Sequence, residues 1–362
     1  MHSESPFRPC VIRAELDAAV QRVLDSGQFI LGADCAAFEQ EFARYVEAEF
    51  AVGTGNGFDA LALGLRAMDI GPGDEVIVPA ATYIATWLAV SHVGARPVPV
   101  DVSPTTYHID PAHIHAALTG RTRAILPVHL YGQPADLDPI LHIAARHDLW
   151  VLEDAAQAHG ARYKGRRIGA HGDLVAWSFY PTKNLGAFGD GGALTTDNPQ
   201  LAERLRELRN YGSTAKNVHA RQGVNSRLDE IQAAVLRVKL AHLDRWNERR
   251  RALALRYTSA LNETGLVLPQ IADYAEPVWH QYPVLSARRN ALQEHLSRAG
   301  VPTLIHYPLP PHLQDAYRDL GFARGAFPVS EQLHAQELSL PMNPHLSDAE
   351  VDSVCATVRS FR

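Results

Sequence analysis

One short stretch, SFYPTKNLGAFGDGG at residues 178–192, places a lysine where a solvent-facing lysine is not expected. Lys183 follows a continuously apolar run and precedes a loop that contains Gly186, Gly189, Gly191 and Gly192. An amine held beside a strand end can act as a nucleophile or transfer protons. The context therefore predicts a lysine retained for chemistry, and an ordinary surface lysine remains the alternative.

Other side chains with chemical potential share one feature, because each lies at or just after the end of a predicted strand. They are Thr82, Tyr83, Glu153, Asp154, Gln157, Ser178, Tyr180 and Thr182. In open α/β sheets, ligands bind beyond the carboxyl ends of the strands. We therefore expect these side chains to meet Lys183 at one edge of a sheet.

A glycine loop, GTGNG at residues 53–57, comes directly before a segment with helical periodicity. Glycines at this point leave backbone N–H groups bare, and the helix dipole favours an anion such as a phosphate there. The loop does not match the dinucleotide fingerprint, because Phe58 occupies the position of the last glycine. A phosphate site and a simple tight turn both remain open.

One cofactor needs an amine, an anion and a phosphate cradle together, namely pyridoxal 5′-phosphate (PLP). Its aldehyde reacts with an amine, its ring nitrogen stays protonated beside an anion, and its phosphate needs a cradle. Lys183, Asp154 and the loop around Gly57 could supply these three functions. Taken singly, Asp154 could be a helix cap and Tyr83 a core residue. Together, at successive strand ends, the residues favour PLP.

The composition excludes several classes of protein. The 362 residues are enough for about two domains, and the formal net charge of −6 comes without a concentrated basic surface, so no nucleic-acid partner is expected. The sequence has no apolar stretch of 18 residues and no basic-then-apolar N-terminus, which predicts a cytoplasmic protein without a membrane partner.

Metal and disulfide sites are not expected either. Cys10, Cys35 and Cys355 are few and far apart, which fits a reducing compartment. The sequence contains no HExxH motif, and His113 and His115, two residues apart, fall on different faces of a predicted helix.

The order of predicted elements indicates an α/β fold. Up to about residue 210, short apolar strands alternate with amphipathic helices, as in a mostly parallel sheet covered on both faces. Residues 228–257 predict one long charged helical region, and a smaller strand–helix–strand pattern follows it. We therefore predict a large domain at 1–240, and a connecting helix with a small C-terminal α+β domain at 241–362.

Four stretches carry a resemblance to a known family, and they are VLEDAAQAHGARYKG, SFYPTKNLGAFGDGGALTTD, PVHLYGQPADLDPI and GVNSRLDEIQAAVL. They resemble the DegT/DnrJ/EryC1/StrS sugar-nucleotide aminotransferases, from about residue 25 to the C-terminus. The resemblance implies the fold-type I architecture of PLP-dependent enzymes and a homodimer whose active sites are shared between subunits.

The resemblance also implies roles for individual residues. Lys183 matches the lysine that binds PLP as a Schiff base, and Asp154 matches the partner of the ring nitrogen. Gln157 matches a residue near the phenolic oxygen, and Tyr83 matches one stacked on the ring. Ser178, Gly57 and Phe58 match the phosphate site. Asn225 matches a residue that reaches the phosphate from the other subunit. Phe58 departs from the smaller or polar residue often found there. The change is tolerable if only the backbone N–H is used, whereas a side-chain contact would be lost.

The subgroup that the motifs resemble acts at C-3 of dTDP-3-keto-6-deoxyhexoses, with L-glutamate as the expected amino donor. Tyr180 occupies the position where members acting at C-4 more often have a histidine. Action at C-4, a PLP-dependent dehydratase and a non-catalytic regulator remain alternatives, although the dehydratases lack the lysine. His306 and Tyr307 in LIHYP are candidates for the substrate side, with a structural loop as the other interpretation.

Overall fold

A seven-stranded sheet forms the centre of the molecule in the computed structural model, which describes residues 12–361. Its strand order is β1-β9-β8-β5-β4-β2-β3. The pairs from β8 through β5, β4 and β2 to β3 are parallel, whereas β9 runs antiparallel to both β8 and β1. The predicted mostly parallel α/β sheet is therefore confirmed.

The described residues contain twelve α-helices. They are α1 Arg13–Ser26, α2 Ala33–Tyr45, α3 Gly57–Ala67, α4 Ala85–His92, α5 Pro111–Ala117, α6 Leu137–His147, α7 Pro199–Leu208, α8 Glu230–Leu240, α9 Leu243–Leu261, α10 Arg289–Arg298, α11 Pro328–Gln336 and α12 Asp348–Ser360. Short 3₁₀ turns span Leu130–Gly132, Pro311–Leu313 and Asp315–Leu320.

Fourteen strands lie in the same part of the chain. They are β1 Phe50–Thr54, β2 Glu75–Pro79, β3 Arg96–Val100, β4 Thr122–Ile125, β5 Trp150–Asp154, β6 Arg162–Tyr163, β7 Arg166–Arg167, β8 Leu174–Ser178, β9 Gly192–Thr196, β10 Ser213–Ala215, β11 Val218–His219, β12 Ala275–Glu276, β13 Tyr282–Leu285 and β14 Glu337–Leu340.

Helices cover both faces of the central sheet, as the apolar strands require. α3 packs on β8 and β9 from one face, in a core that includes Leu63, Leu152 and Leu194. On the other face α2 and α8 pack together over Trp177 and Phe179, while α5 and α6 cover β3 to β5. Packed helices therefore support both faces of the sheet whose edge contains the carboxyl ends of β5 and β8.

Local sequence signals explain where several helices begin. Asp110 and Asn198 each accept a hydrogen bond from the first turn of the next helix, and a proline follows each of them at the first helical position. Ser347 and Glu350 form a capping box at the start of α12.

The prediction of one helical region over residues 228–257 is wrong, because the chain forms two helices. α8 ends at Leu240 and α9 begins at Leu243. The two helices bury different surfaces, since α8 packs on α1 and α2 whereas α9 packs on α12. A single straight helix could not reach both surfaces, so the chain turns between them.

The C-terminal part has an apolar core of its own. α9, α10 and α12 pack around the β13–β14 pair, with Tyr257, Tyr282 and Leu338 inside. The division at residue 240 remains a prediction. β12, which follows residue 240, pairs with β6, which precedes it, so the two parts share a small sheet. No helix within residues 12–361 is both long enough and apolar enough to cross a membrane.

Candidate active site

The loop after β8 holds Lys183 beside the sheet edge. The Lys183 N–H donates to the carbonyl of Tyr180 at 2.8 Å, and the Ala187 N–H donates to the carbonyl of Phe179 at 2.8 Å. Burial lowers the pKa of the Lys183 amine to about 8, and the charge of Asp154 opposes this shift. The unprotonated amine, which a nucleophile or base requires, is therefore far more populated near neutral pH than in an ordinary lysine.

Asp154 ends β5 as a buried carboxylate with defined donors. Its Oδ2 accepts from the Thr86 hydroxyl at 2.9 Å, and its Oδ1 accepts from the Ala156 N–H at 3.1 Å. Burial raises the pKa of Asp154, while these hydrogen bonds and the charge of Lys183 oppose the shift. A cationic ligand group would stabilise this carboxylate, because the buried charge lacks solvent.

The glycine loop and the first turn of α3 lie against the carboxyl end of β8. Asn56 caps the helix by accepting from the Asp59 N–H at 2.8 Å. A Cβ on Gly57 would lie 2.6 Å from the Cβ of Ser178, so only glycine permits this approach. The N–H groups of Gly57 and Phe58 lie in the first turn, where a helix offers no partner. They are free for an anion.

The side chain of Phe58 points away from this surface. It packs against the core on the α3 side, and its ring meets that of His92 at 5.4 Å in an edge arrangement. Phe58 can therefore contribute only its backbone N–H to an anion.

Gln157 connects the strand-end cluster with an aromatic wall. Its Oε1 accepts from the Tyr131 N–H at 2.5 Å, and its Nε2 donates to the Tyr307 hydroxyl at 3.3 Å. The Tyr307 ring lies 5.0 Å from the ring of Tyr83, which is 53% exposed. Gln157, Tyr83 and Tyr307 are thus brought together, as the sequence indicated.

His306 is held at the same wall from three sides. Its carbonyl accepts from the Tyr131 hydroxyl at 2.7 Å, its N–H donates to Glu337, and its Nδ1 lies 2.8 Å from the Ser339 hydroxyl. Burial lowers the pKa of His306 to about 4, with a contribution from the charge of Lys183. The ring is neutral at physiological pH and lies within the electrostatic reach of Lys183.

Sequence reasoning missed four residues that support these side chains, namely Thr86, Tyr131, Glu337 and Ser339. Tyr131 belongs to the motif PVHLYGQ, whose family resemblance was the available signal. The other three carry no local signature, because their partners lie far away in the sequence.

The structure leaves Asn225 exposed and does not join its side chain to the cluster through any hydrogen bond within residues 12–361. Its neighbour Ser226 is tied to the glycine loop of the same chain, where its hydroxyl accepts from the Gly55 N–H at 2.9 Å and donates to Asp59 at 2.6 Å. The role of Asn225 across a subunit interface remains a prediction.

Residues 11–359 match the DegT/DnrJ/EryC1/StrS aminotransferase family. The chain belongs to this family. The predicted recognition, the fold class and the assignment as an aminotransferase are thereby confirmed.

Three similar relatives extend the comparison. A dTDP-3-amino-3,4,6-trideoxy-alpha-D-glucose transaminase of Streptomyces venezuelae is 55% identical, over 97% of this chain and 93% of the relative. The erythromycin biosynthesis sensory transduction protein EryC1 of Saccharopolyspora erythraea is also 55% identical, over 96% of each chain. A dTDP-3-amino-3,6-dideoxy-alpha-D-galactopyranose transaminase of Aneurinibacillus thermoaerophilus is 50% identical, over 96% of this chain and 95% of the relative.

Two solved structures share the fold. DesV of S. venezuelae, in complex with a ketimine intermediate, superposes with a TM-score of 0.96 at 55% identity, over 98% of this chain and 95% of DesV. A Bacillus subtilis protein with bound cofactor PMP, the amino form of PLP, has a TM-score of 0.89 at 34% identity, over 96% of this chain and 81% of that protein.

Proposed function

We propose that the chain is a PLP-dependent aminotransferase that aminates C-3 of a dTDP-3-keto-6-deoxyhexose with L-glutamate as donor. The observation that carries this proposal is that the charges of Lys183 and the buried Asp154 act on each other, next to the close approach of Gly57 to Ser178. The activities named for the S. venezuelae and A. thermoaerophilus relatives support the sugar nucleotide and the C-3 position.

The residues fit PLP at each of its reactive or charged groups. The N–H groups of Gly57 and Phe58 and the hydroxyl of Ser178 would hold the phosphate, and Tyr83 would cover the ring. Gln157 would reach the phenolic oxygen. Bound PLP supplies an aldehyde that condenses with amines and a ring that withdraws electrons from the adjoining carbon.

Lys183 would hold the cofactor covalently at rest, and its amine would move protons once an incoming amine has displaced it. With a pKa of about 8, the free amine could accept a proton from the α-carbon of the amino donor and later return it. Asp154 would keep a proton on the ring nitrogen through its charge, and its hydrogen bonds to Thr86 and Ala156 fix the carboxylate for that task.

The aromatic wall of Tyr83 and Tyr307, together with His306, would bind the sugar side. Tyr83 is exposed, and the three side chains combine apolar ring faces with hydroxyl and imidazole groups, which suits a hexose. The nucleotide would extend beyond them.

A homodimer with shared sites is part of this proposal. The exposed Asn225 would reach the phosphate held by Gly57 and Ser178 of the partner subunit. The buried free thiols of Cys35 and Cys355 are compatible with the proposed cytoplasmic location; Cys10 lies outside the described residues.

The regulator alternative is favoured by the name of the EryC1 relative, a sensory transduction protein. The retained Lys183 and Asp154 favour an enzyme, and Lys183 also disfavours the dehydratase.

The proposal is tested by incubating the purified chain with PLP, L-glutamate and, separately, 3-keto and 4-keto dTDP-6-deoxyhexoses. We expect a yellow protein that bleaches with glutamate, and an amine located at C-3 by NMR. An amine at C-4 would overturn the position, and a protein that stays colourless with PLP would favour the regulator.

A further inference from the structure

His306 is joined to two side chains of β14 that have no task in the proposed function. Glu337 and Ser339 are separated by one residue, so their side chains lie on the same face of this strand. Both residues are buried. Leu304 exchanges two backbone hydrogen bonds with Ser339, which brings the segment that contains His306 alongside β14.

The two carboxyl oxygens of Glu337 contact different groups. Oε2 accepts from the His306 N–H, and Oε1 lies 2.5 Å from the Ser339 hydroxyl. The same hydroxyl lies 2.8 Å from the Nδ1 of His306. The carboxyl group, the hydroxyl and the imidazole therefore form one continuous chain of hydrogen bonds, the Glu337–Ser339–His306 relay.

The relay allows two proton arrangements, because a hydroxyl has one proton to donate. When Glu337 is a carboxylate, the Ser339 hydroxyl donates to it, and the Ser339 oxygen accepts from the Nδ1–H of His306. The Nε2 of His306 then carries a lone pair. When Glu337 carries a proton, it donates to Ser339, and Ser339 donates to Nδ1. The ring proton then lies on Nε2.

The groups around Glu337 leave its carboxyl group able to take either form near neutral pH. Burial raises the pKa of Glu337 to about 7, although its hydrogen bonds and the charge of Arg289 oppose the shift. Arg289 lies on α10 and donates to the Glu337 carbonyl at 3.2 Å. Burial raises the pKa of Tyr131 and Tyr307, and the charge of Glu337 contributes, so both hydroxyls stay neutral. His306 is neutral as well, because burial lowers its pKa to about 4.

The Nε2 of His306 is the end of the relay that a ligand can reach. Within residues 12–361 it forms no hydrogen bond, and it is not enclosed by the protein. The His306 carbonyl accepts from the Tyr131 hydroxyl at 2.7 Å, and the ring stands edge-on to that of Tyr307 at 5.5 Å. The relay therefore ends at the aromatic wall that is proposed to bind the sugar.

We propose that Glu337 and Ser339 are positioning residues, and that the charge of Glu337 decides whether His306 presents a hydrogen-bond acceptor or a donor to the sugar. With Glu337 as a carboxylate, Nε2 accepts from a sugar hydroxyl and offers no proton to a keto oxygen. This inference rests on the proposed aminotransferase function. Because the acceptor is lost when Glu337 binds a proton, recognition of the keto sugar should weaken as the pH falls below about 7.

The tautomer can be measured without turnover, by NMR of the full chain with isotope-labelled imidazole nitrogens. The sequence has 18 histidines, so the His306 signals are identified by their loss in His306→Gln. In the wild type, the ring proton should lie on Nδ1 above about pH 7 and on Nε2 below it. Ser339→Ala removes the hydroxyl that connects the two groups, so its tautomer should not change across this range.

Glu337→Gln should fix the second arrangement. Its amide oxygen can still accept from the His306 N–H, so its amide nitrogen donates to Ser339 and the ring proton should stay on Nε2. The same tautomer in the wild type and Glu337→Gln above pH 7, or a pH-dependent tautomer in Ser339→Ala, would refute the relay. Either result is decisive even if the chain has no aminotransferase activity.

A kinetic measurement separates recognition of the sugar from a general loss of structure. Glu337→Gln should raise the KM for the keto sugar about two- to tenfold, as expected for one neutral hydrogen bond, and leave kcat and single turnovers with glutamate unchanged. Glu294→Gln, at an exposed glutamate paired with Arg298, is the matched control and should change none of these values. An unchanged KM, or equal slowing of both half-reactions, would overturn the inference.

Discussion

At the residue scale, the burial of Lys183 predicts how the reaction depends on pH. A base acts in its unprotonated form, and the amine of Lys183 has a pKa of about 8. Its active fraction therefore rises as the pH increases from 7 to 9 and then levels off. Single-turnover rates with glutamate across this range measure the effect. An unperturbed lysine, with a pKa near 10.4, would give rates that still climb steeply above pH 9.

Lys183→Ala should abolish turnover. A positioned proton-transfer group contributes about 10²–10⁴-fold, and the variant also loses the covalent link to the cofactor. Steady-state assays with glutamate and the keto sugar measure the loss. Lys164→Ala removes an exposed lysine paired with Asp138 and should keep normal activity. Near-normal turnover in Lys183→Ala would contradict the assignment.

Asp154→Asn should keep the fold and much of the cofactor affinity while activity falls strongly. The amide oxygen can still accept from the Ala156 N–H and the amide nitrogen can donate to the Thr86 hydroxyl, but the amide carries no charge to hold a proton on the ring nitrogen. The activity and the thermal stability of Asp154→Asn are each measured against the wild type, and a loss of activity without a loss of stability is expected. Asn caps nearly as well as Asp, so full activity would mean that Asp154 is only structural.

Residues with a local signature could be predicted from the sequence, whereas their distant partners could not. Lys183 and Asp154 stand out because each follows an apolar strand. The hydroxyl of Tyr131 meets the His306 carbonyl across 175 positions, and no spacing rule connects them. Such contacts depend on how the C-terminal part packs over the sheet.

At the element scale, the start of α3 depends on its close approach to β8. Gly57→Ala would place a methyl group 2.6 Å from the Cβ of Ser178, so one of the two elements must shift. Overpacking of this kind costs about 1–3 kcal/mol and would displace the backbone N–H groups of the proposed phosphate site. We expect weaker PLP binding, measured by absorbance titration, together with a lower melting temperature.

Gly120→Ala provides the matched control, because a Cβ there meets nothing within 4 Å. It should bind PLP as the wild type does. Equal PLP affinity in Gly57→Ala and the wild type would show that the phosphate is held elsewhere.

Strands and helices with a clear period were predictable, and the turn between α8 and α9 was not. Periodicity along residues 228–257 continues through the break, because both helices are amphipathic. What ends α8 is a change of packing partner, from α1 and α2 to α12. That change belongs to the tertiary structure and leaves no mark on the local pattern.

At the scale of the whole molecule, the proposed shared site predicts complementation between defective chains. If Asn225 completes the partner's phosphate site, mixing Lys183→Ala with Asn225→Ala chains yields heterodimers with one doubly defective site and one intact site. Activity should recover toward half the wild-type value per heterodimer, provided that Asn225→Ala alone is badly impaired. Activity of tagged, purified heterodimers is the measurement.

The parent variants serve as controls in that experiment. If Asn225 acted within its own subunit, every site in the heterodimer would keep one lesion. An impaired Asn225→Ala parent without recovery in verified heterodimers would therefore contradict the cross-subunit contact.

The position of β9 in the sheet determines when the proposed phosphate site can be assembled during synthesis. Within the described residues, β1 has one sheet neighbour, and the register pairs Phe50 with Thr196 and Thr54 with Gly192. A nascent chain leaves the ribosome N-terminus first. The strand that leads into the glycine loop must therefore wait for nearly 140 further residues. A chain released before Gly192 would carry both Lys183 and Asp154 yet have no seated loop to capture the phosphate.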